Sequence, residues 1–373
     1  MSKGIRSVQP EAAGLEIVWQ TGERASYPWL WLRDHATDPQ SYDSRSGQRE
    51  LYTAGLDPAI HGLAARLGAG GRTVEIDWPD GPQSVAYDAG FLWRFRSPAP
   101  ATGQDDRRRP WDQAKIAEAP IELAYAEVAA DDAGLRRLLE TVEAWGFAVL
   151  TQTPAELASV AALAGKIGYV RETIFGGLWE FEANEARADS AYTPKTLRPH
   201  TDATYSHDAP GLQILLCLAY QAEGGDSLLV DGLEIGRRLA AAQPDEYATL
   251  GRIAIPGRYL GDGAHLAAER PVFRLGRDGR ILQVSFNNYD RAPFRLPEPE
   301  MTALYRAIAA FDRLANDPAL CWCRGLRPGD LLIFDNWRVL HGRTAFTGSR
   351  RMAGCYVNRE DYESRLRILR DGA

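Results

Sequence analysis

The chain has 373 residues, 45% hydrophobic and 25% charged, with a formal net charge of -7. These values fit a globular protein with room for more than one core and exclude collagen-like, disordered and coiled-coil chains. The acidic balance, with a pI near 5.5, argues against nucleic acid or an anionic membrane as partner, since both require a basic face.

The N-terminal stretch MSKGIRSVQPEAAG has no apolar segment behind its Lys and Arg, so it reads as neither a secretory signal nor an organelle presequence, and a cytoplasmic location is expected. Short alternating stretches follow at Leu15 to Trp19, Thr73 to Trp78 and Ser84 to Tyr87, split by Gly, Pro and Asp clusters; they predict a small β-rich domain over 1–97. Residues 97–112, SPAPATGQDDRRRPWD, read as an exposed connector, set at 98–118. The larger domain then covers 119–373.

In the larger domain, Leu135, Leu138, Leu139 and Val142 recur at helical spacing and stop at Gly146, predicting a helix over Asp131 to Trp145 that feeds a strand at Phe147 to Leu150. Thr153-Pro154-Ala155-Glu156 has the form of a capping box opening a helix that runs to Gly168. Short apolar runs then predict strands at Leu212 to Tyr220, Ser227 to Val230, Val272 to Leu275, Ile281 to Phe286, Leu331 to Phe334 and Ala353 to Val357, a pattern of a sandwich or jelly roll. The longest of these runs is far too short to span a bilayer. One helix interrupts them, Glu300 to Ala315, with Met301, Leu304, Tyr305, Ile308 and Phe311 on its apolar face. The four cysteines, Cys217, Cys321, Cys323 and Cys355, are too few and too clustered for a disulfide framework and read as reduced thiols.

Chemistry is concentrated in the histidines. His35, His61, His207 and His265 read as surface or structural residues. His200-Thr201-Asp202 is a weak signal alone, but with His341 in Phe334-Asp335-Asn336-Trp337-Arg338-Val339-Leu340-His341-Gly342-Arg343 it supplies two imidazoles and a carboxylate. That is the donor set of the facial triad of non-haem Fe(II) oxygenases. Spacing by two directs His200 and Asp202 to one side of an extended segment, and a jelly roll brings distant strands together.

With these residues the sequence resembles the Fe(II)/2-oxoglutarate dioxygenases of the taurine dioxygenase superfamily, specifically the branch of gamma-butyrobetaine hydroxylase and trimethyllysine hydroxylase. Further segments carry the resemblance: Asp189-Ser190-Ala191-Tyr192-Thr193, Gly224-Gly225-Asp226-Ser227, Phe286-Asn287-Asn288-Tyr289-Asp290-Arg291 and Gly354-Cys355-Tyr356. It implies a double-stranded β-helix, or jelly roll, with flanking helices. It further implies Fe(II) on His200, Asp202 and His341, with 2-oxoglutarate and O2 as co-substrates. Arg350, in Ser349-Arg350, occupies the place of the arginine that clamps the far carboxylate of 2-oxoglutarate, with Arg351 its close rival; Ser227 stands where a hydroxyl supports the same carboxylate, though turn chemistry also accounts for it.

The resemblance places the substrate end at Phe175, Trp179, Tyr192 and Tyr356, an aromatic cage for a quaternary ammonium; a Tyr is usual where Phe175 stands. Asp189 matches an Asn of the butyrobetaine enzyme and an Asp of the trimethyllysine enzyme, which favours a substrate with an extra amino group. Asn287 and Asn288 would supply amide hydrogen bonds. The implied reaction is hydroxylation of a small trimethylammonium compound: trimethyllysine-like first, then gamma-butyrobetaine, then a trimethylammonio-ethylphosphonate held by a cation such as Arg291. Readings of another class are a non-catalytic jelly roll that binds betaines and a zinc hydrolase using the same ligands. The family's N-terminal domain binds zinc through closely spaced cysteines after Leu-Arg-Asp; here Leu32-Arg33-Asp34 is followed by His35-Ala36-Thr37-Asp38, so the zinc site is absent. In the family that domain forms dimers or covers the pocket, and a homodimer is the corresponding expectation.

Overall fold

Alternation of apolar and polar residues shapes the first unit, in which Leu15, Ile17 and Trp19 point one way and Glu16 and Val18 the other. The computed structural model of the protein describes residues 4–97, 106–182 and 194–371, and these divide into two compact units between Gln104 and Asp105. In the first unit Ile5–Glu11, Gly14–Trp19 and Arg24–Pro28 form one antiparallel sheet, and Ala64–Leu67, Thr73–Asp77 and Val85–Asp88 a second. Ser84, expected to open the last strand, lies outside it with φ +53°. Leu15, Ile17, Trp19, Trp29, Val74, Ile76, Trp78 and Tyr87 fill one core. Where cysteines would have held metal, Arg33 donates to both carboxylate oxygens of Asp80 and to Ser41, and Asp34 accepts from Arg49 and Thr53.

In the second unit period two sorts the strand residues onto two faces. The major sheet runs in the order Val170–Arg171, Phe346–Val357, Leu212–Gly224, Leu331–Asp335, Phe147–Thr151, Glu122–Ala124, with Leu178–Glu182 also on the Phe346–Val357 strand. Ala148, Leu150, Leu331 and Ile333 pack outward against the helices Asp132–Trp145, Leu157–Ile167 and Arg359–Asp371. Phe147, Val149, Leu332 and Phe334 turn inward to meet Leu229 and Val339 of a minor sheet. That sheet has the order Leu197–His200, Val339–Arg343, Ser227–Asp231, Cys321–Arg324. Its outer face carries Val230 and Leu340 under the helices Gly232–Ala242, Pro244–Arg252 and Glu298–Ala315. Two facing sheets with helices outside make the expected jelly roll.

Several local expectations are corrected. The helix expected from Thr153 starts at Leu157, without a side-chain cap, because the Thr153 amide is drawn to the carbonyl of Gly329. On Glu298–Ala315 the buried residues are Leu304, Ala307, Ala310, Phe311 and Ala315, while Tyr305 is 52% exposed; small alanines let the helix approach closely, which rotates the stripe. Residues 106–112, expected as exposed connector, include buried Trp111, whose indole donates to the carbonyl of Trp145. The helix Asp132–Trp145 follows expectation, with Asp131 accepting from the Gly134 amide and Gly146 ending it at φ +82°. A Cβ at Gly146 would stand 2.6 Å from Val339 Cγ2, so this turn needs glycine on two grounds.

Candidate active site and metal centre

His200 ends one strand of the minor sheet and pairs in register with His341 of the next. His341 therefore lies within the strand Val339–Arg343. Asp202 is not on an extended segment with His200: it sits in a bend beyond the strand, before Ala203 at φ +57°. Asn336 holds that bend, accepting from the Asp202 amide at 2.7 Å and donating to the carbonyl of Pro210 at 3.0 Å. The result brings the three side chains together, each offering a ligand atom, all within 4.8 Å of one another. His200 Nε2 and His341 Nε2 lie 3.4 and 3.6 Å from Asp202 Oδ1.

The hydrogen bonding fixes what this cluster can do. A carbonyl only accepts, so His200 Nδ1 must donate to the Arg198 carbonyl at 2.9 Å, which turns Nε2 toward Asp202 Oδ1. Tyr356 donates to the other carboxylate oxygen, Oδ2, at 2.8 Å. Burial pushes His341 down to about 4, against the pull of Asp202, so it is a neutral donor. Burial would raise Asp202, but the bond and charge of His200 and the hydrogen bond from Tyr356 hold its carboxyl well below the usual range. Burial would lower His200, and the bond and charge of Asp202 outweigh it. Two imidazole nitrogens and a carboxylate oxygen converging with nothing positive between them is the arrangement a divalent cation satisfies. The donor set suits Fe(II) and leaves coordination positions open.

The cluster opens into a cavity of about 280 Å³. Ser227 and Arg350 line it, 7% and 6% exposed. Arg350 Nε has no hydrogen-bond partner among the described residues, and burial lowers the arginine's pKa. Arg351 points out of the strand's other face, half exposed beside Glu180. Phe175, Trp179, Asn287 and Tyr356 line the same cavity. Trp179 and Tyr356 stand with ring centroids 5.9 Å apart. A Cβ at Gly354 would lie 2.2 Å from Trp179 Cη2, so the glycine makes room for the indole. Phe175 rests instead on Tyr259, at 6.5 Å. Asn288 is exposed and does not line this cavity, a correction to its expected role, because its side chain follows Asn287 on a chain that turns there. Asp189 and Tyr192 lie outside the described residues.

Sequence reasoning missed Arg343, Tyr205 and Asp290, which also line the cavity. Arg343 was within reach: two residues after His341 on one strand, it shares its face. Burial, with Arg350 beside it, pushes the Arg343 guanidinium down to about 10, so it stays charged at neutral pH, on the cavity wall with Arg350.

Comparison with known proteins fits this geometry. The mitochondrial trimethyllysine dioxygenase of Bos taurus is 31% identical over 372 residues, covering 95% of this chain and 88% of that protein. The trimethyllysine dioxygenase of Meyerozyma guilliermondii is 29% identical, covering 100% and 97%. The gamma-butyrobetaine dioxygenase of Pseudomonas sp. (strain AK-1) is 31% identical, covering 98% and 96%. Residues 6–93 match the gamma-butyrobetaine hydroxylase-like N-terminal family. Residues 108–356, which include the histidine pair, the carboxylate and every residue described along the cavity, match a further model, and the chain belongs to the taurine catabolism dioxygenase TauD, TfdA family.

Proposed function

We propose that the protein hydroxylates an aliphatic C–H bond of a small trimethylammonium amino acid, trimethyllysine-like in shape, using Fe(II), 2-oxoglutarate and O2. The observation that carries this reading is one cavity holding a cation-binding set, a buried guanidinium whose Nε has no hydrogen-bond partner among the described residues, and a pair of aromatic faces. The names of the relatives support the same substrate class. When bound, Fe(II) with 2-oxoglutarate and O2 supplies the oxidising power: one oxygen atom goes to the substrate carbon and the other to succinate, with loss of carbon dioxide.

In this reading His200, Asp202 and His341 would hold the iron, and Tyr356 keeps Asp202 turned so that Oδ1 faces the histidines. Arg350 and Tyr356 lie six residues apart on one face of the strand Phe346–Val357. The stretch between them accommodates a dicarboxylic acid reaching from Arg350 toward the metal ligands. Arg350 would fork onto its far carboxylate, a geometry Lys cannot reproduce, with the Ser227 hydroxyl alongside. The faces of Trp179 and Tyr356 would take the quaternary nitrogen, which has no N–H to donate. Phe334, 4.7 Å from the His341 ring, shields that ligand from water.

Cytoplasmic residence and a homodimer complete the proposal. The four free cysteines suit a reducing compartment, no helix among the described residues is long and apolar enough to cross a membrane, and light scattering tests the dimer. The functional test is succinate formation by iron-loaded enzyme across trimethyllysine, gamma-butyrobetaine, trimethylammonio-ethylphosphonate and taurine, with product masses read in parallel. Trimethyllysine should stimulate turnover most strongly and gain one oxygen atom; no stimulation by any trimethylammonium compound would refute the substrate class.

A further inference from the structure

Gln213 is a polar residue on a largely apolar inner face. Along the strand Leu212–Gly224 alternation sends Ile214 and Leu216 outward and Gln213, Leu215 and Cys217 inward. Gln213 is 6% exposed and stands in register with Tyr356 on one side and Phe334 on the other. Both neighbours touch the metal set: Tyr356 donates to Asp202 Oδ2 at 2.8 Å, and the Phe334 ring lies 4.7 Å from that of His341. One cross-strand row of the major sheet therefore backs two of the three ligands, with Gln213 at its centre.

The orientation of the amide follows from its neighbour. Gln213 Nε2 lies 3.4 Å from the Tyr356 hydroxyl oxygen. A phenol has one proton, and here it goes to the Asp202 carboxylate, so the amide nitrogen donates and the phenol oxygen accepts. A phenol that accepts one hydrogen bond donates the next more strongly. Gln213 Oε1 then points away, closed off from solvent and without a hydrogen-bond partner among the described residues. A buried acceptor left unpaired carries a desolvation cost that an apolar side chain of similar shape avoids. What the amide adds in return is the bond to Tyr356. We propose that Gln213 is a positioning residue for the metal centre, which fixes and strengthens the bond by which Tyr356 holds Asp202. The assignment rests on the iron site described above.

The test is a double-variant cycle on Gln213→Met and Tyr356→Phe, read as the Fe(II) Kd from anaerobic titration of iron-free protein. Methionine nearly matches glutamine in shape and removes both amide groups, while phenylalanine keeps the ring face. Gln213→Met should raise the Kd about three- to tenfold, less than the loss of a direct partner of a metal ligand. The thermal unfolding midpoint of the iron-free protein should stay level or rise, because the unpaired acceptor is gone. In the Tyr356→Phe background Gln213 has no hydroxyl to act through, so adding Gln213→Met should change the Kd by no more than about twofold. Equal losses in the two backgrounds, or an unchanged Kd in Gln213→Met, would overturn the assignment. So would a lowered unfolding midpoint or a failure to fold, either of which makes the residue structural. If wild-type protein binds no Fe(II), the iron site itself fails and the assignment with it, a result visible before any variant is made.

Discussion

Arg350 and Arg351 are neighbours in the chain and face opposite ways, one 6% exposed in the cavity and the other half exposed beside Glu180. Arg350→Lys should therefore raise the KM for 2-oxoglutarate about tenfold or more, since a point charge replaces a bidentate fork, while Arg351→Ala stays within about twofold; steady-state succinate assays separate the two. Asp189→Asn should weaken trimethyllysine more than gamma-butyrobetaine in the same assay, and equal losses would contradict an ammonium-binding role. His200, Asp202 and His341 were legible from the sequence because metal ligation demands particular donor atoms. Arg350 could not be told from Arg351, because strand alternation separates them only once the register is known. Asp290 stood inside a quoted motif, but nothing in one dimension shows that its carboxylate turns to the cavity.

The bend that carries Asp202 is built by another element, through the bonds of Asn336 to the Asp202 amide and the Pro210 carbonyl. Asn336→Ala should lower Fe(II) affinity about tenfold or more, the usual effect of losing support behind a metal ligand, as read by anaerobic iron titration. Strands that are continuous apolar runs, such as Leu331–Asp335, could be read from the sequence to within a residue or two. The strand Leu197–His200 could not, because four residues including Pro199 carry no period of their own, and pairing with Val339–Arg343 makes them a strand. The capping pattern at Thr153 misled for a related reason: a long-range backbone bond outranks a local side-chain preference.

At the scale of the whole molecule, a buried ion pair ties the two sheets' helices and the entering chain together. Arg338 donates to both oxygens of Asp231 and to the carbonyls of Glu143, Ala144 and Arg109, and Asp231 also accepts from the Trp111 amide. Arg338→Met should destabilise the second unit by about 3–5 kcal/mol, because it strands a fully buried carboxylate; thermal and denaturant unfolding measure it. The β-rich first unit and the jelly roll were both visible as strand patterns, whereas the packing of Trp111 was not, since Arg and Asp around it read as solvent-facing. The central claim, that this fold couples 2-oxoglutarate decarboxylation to hydroxylation of a trimethylammonium amino acid, is tested most directly by turnover of trimethyllysine under heavy-isotope O2. Mass spectrometry should find one labelled atom in succinate and one in the hydroxylated product. Labelled succinate with unaltered trimethyllysine would contradict the account.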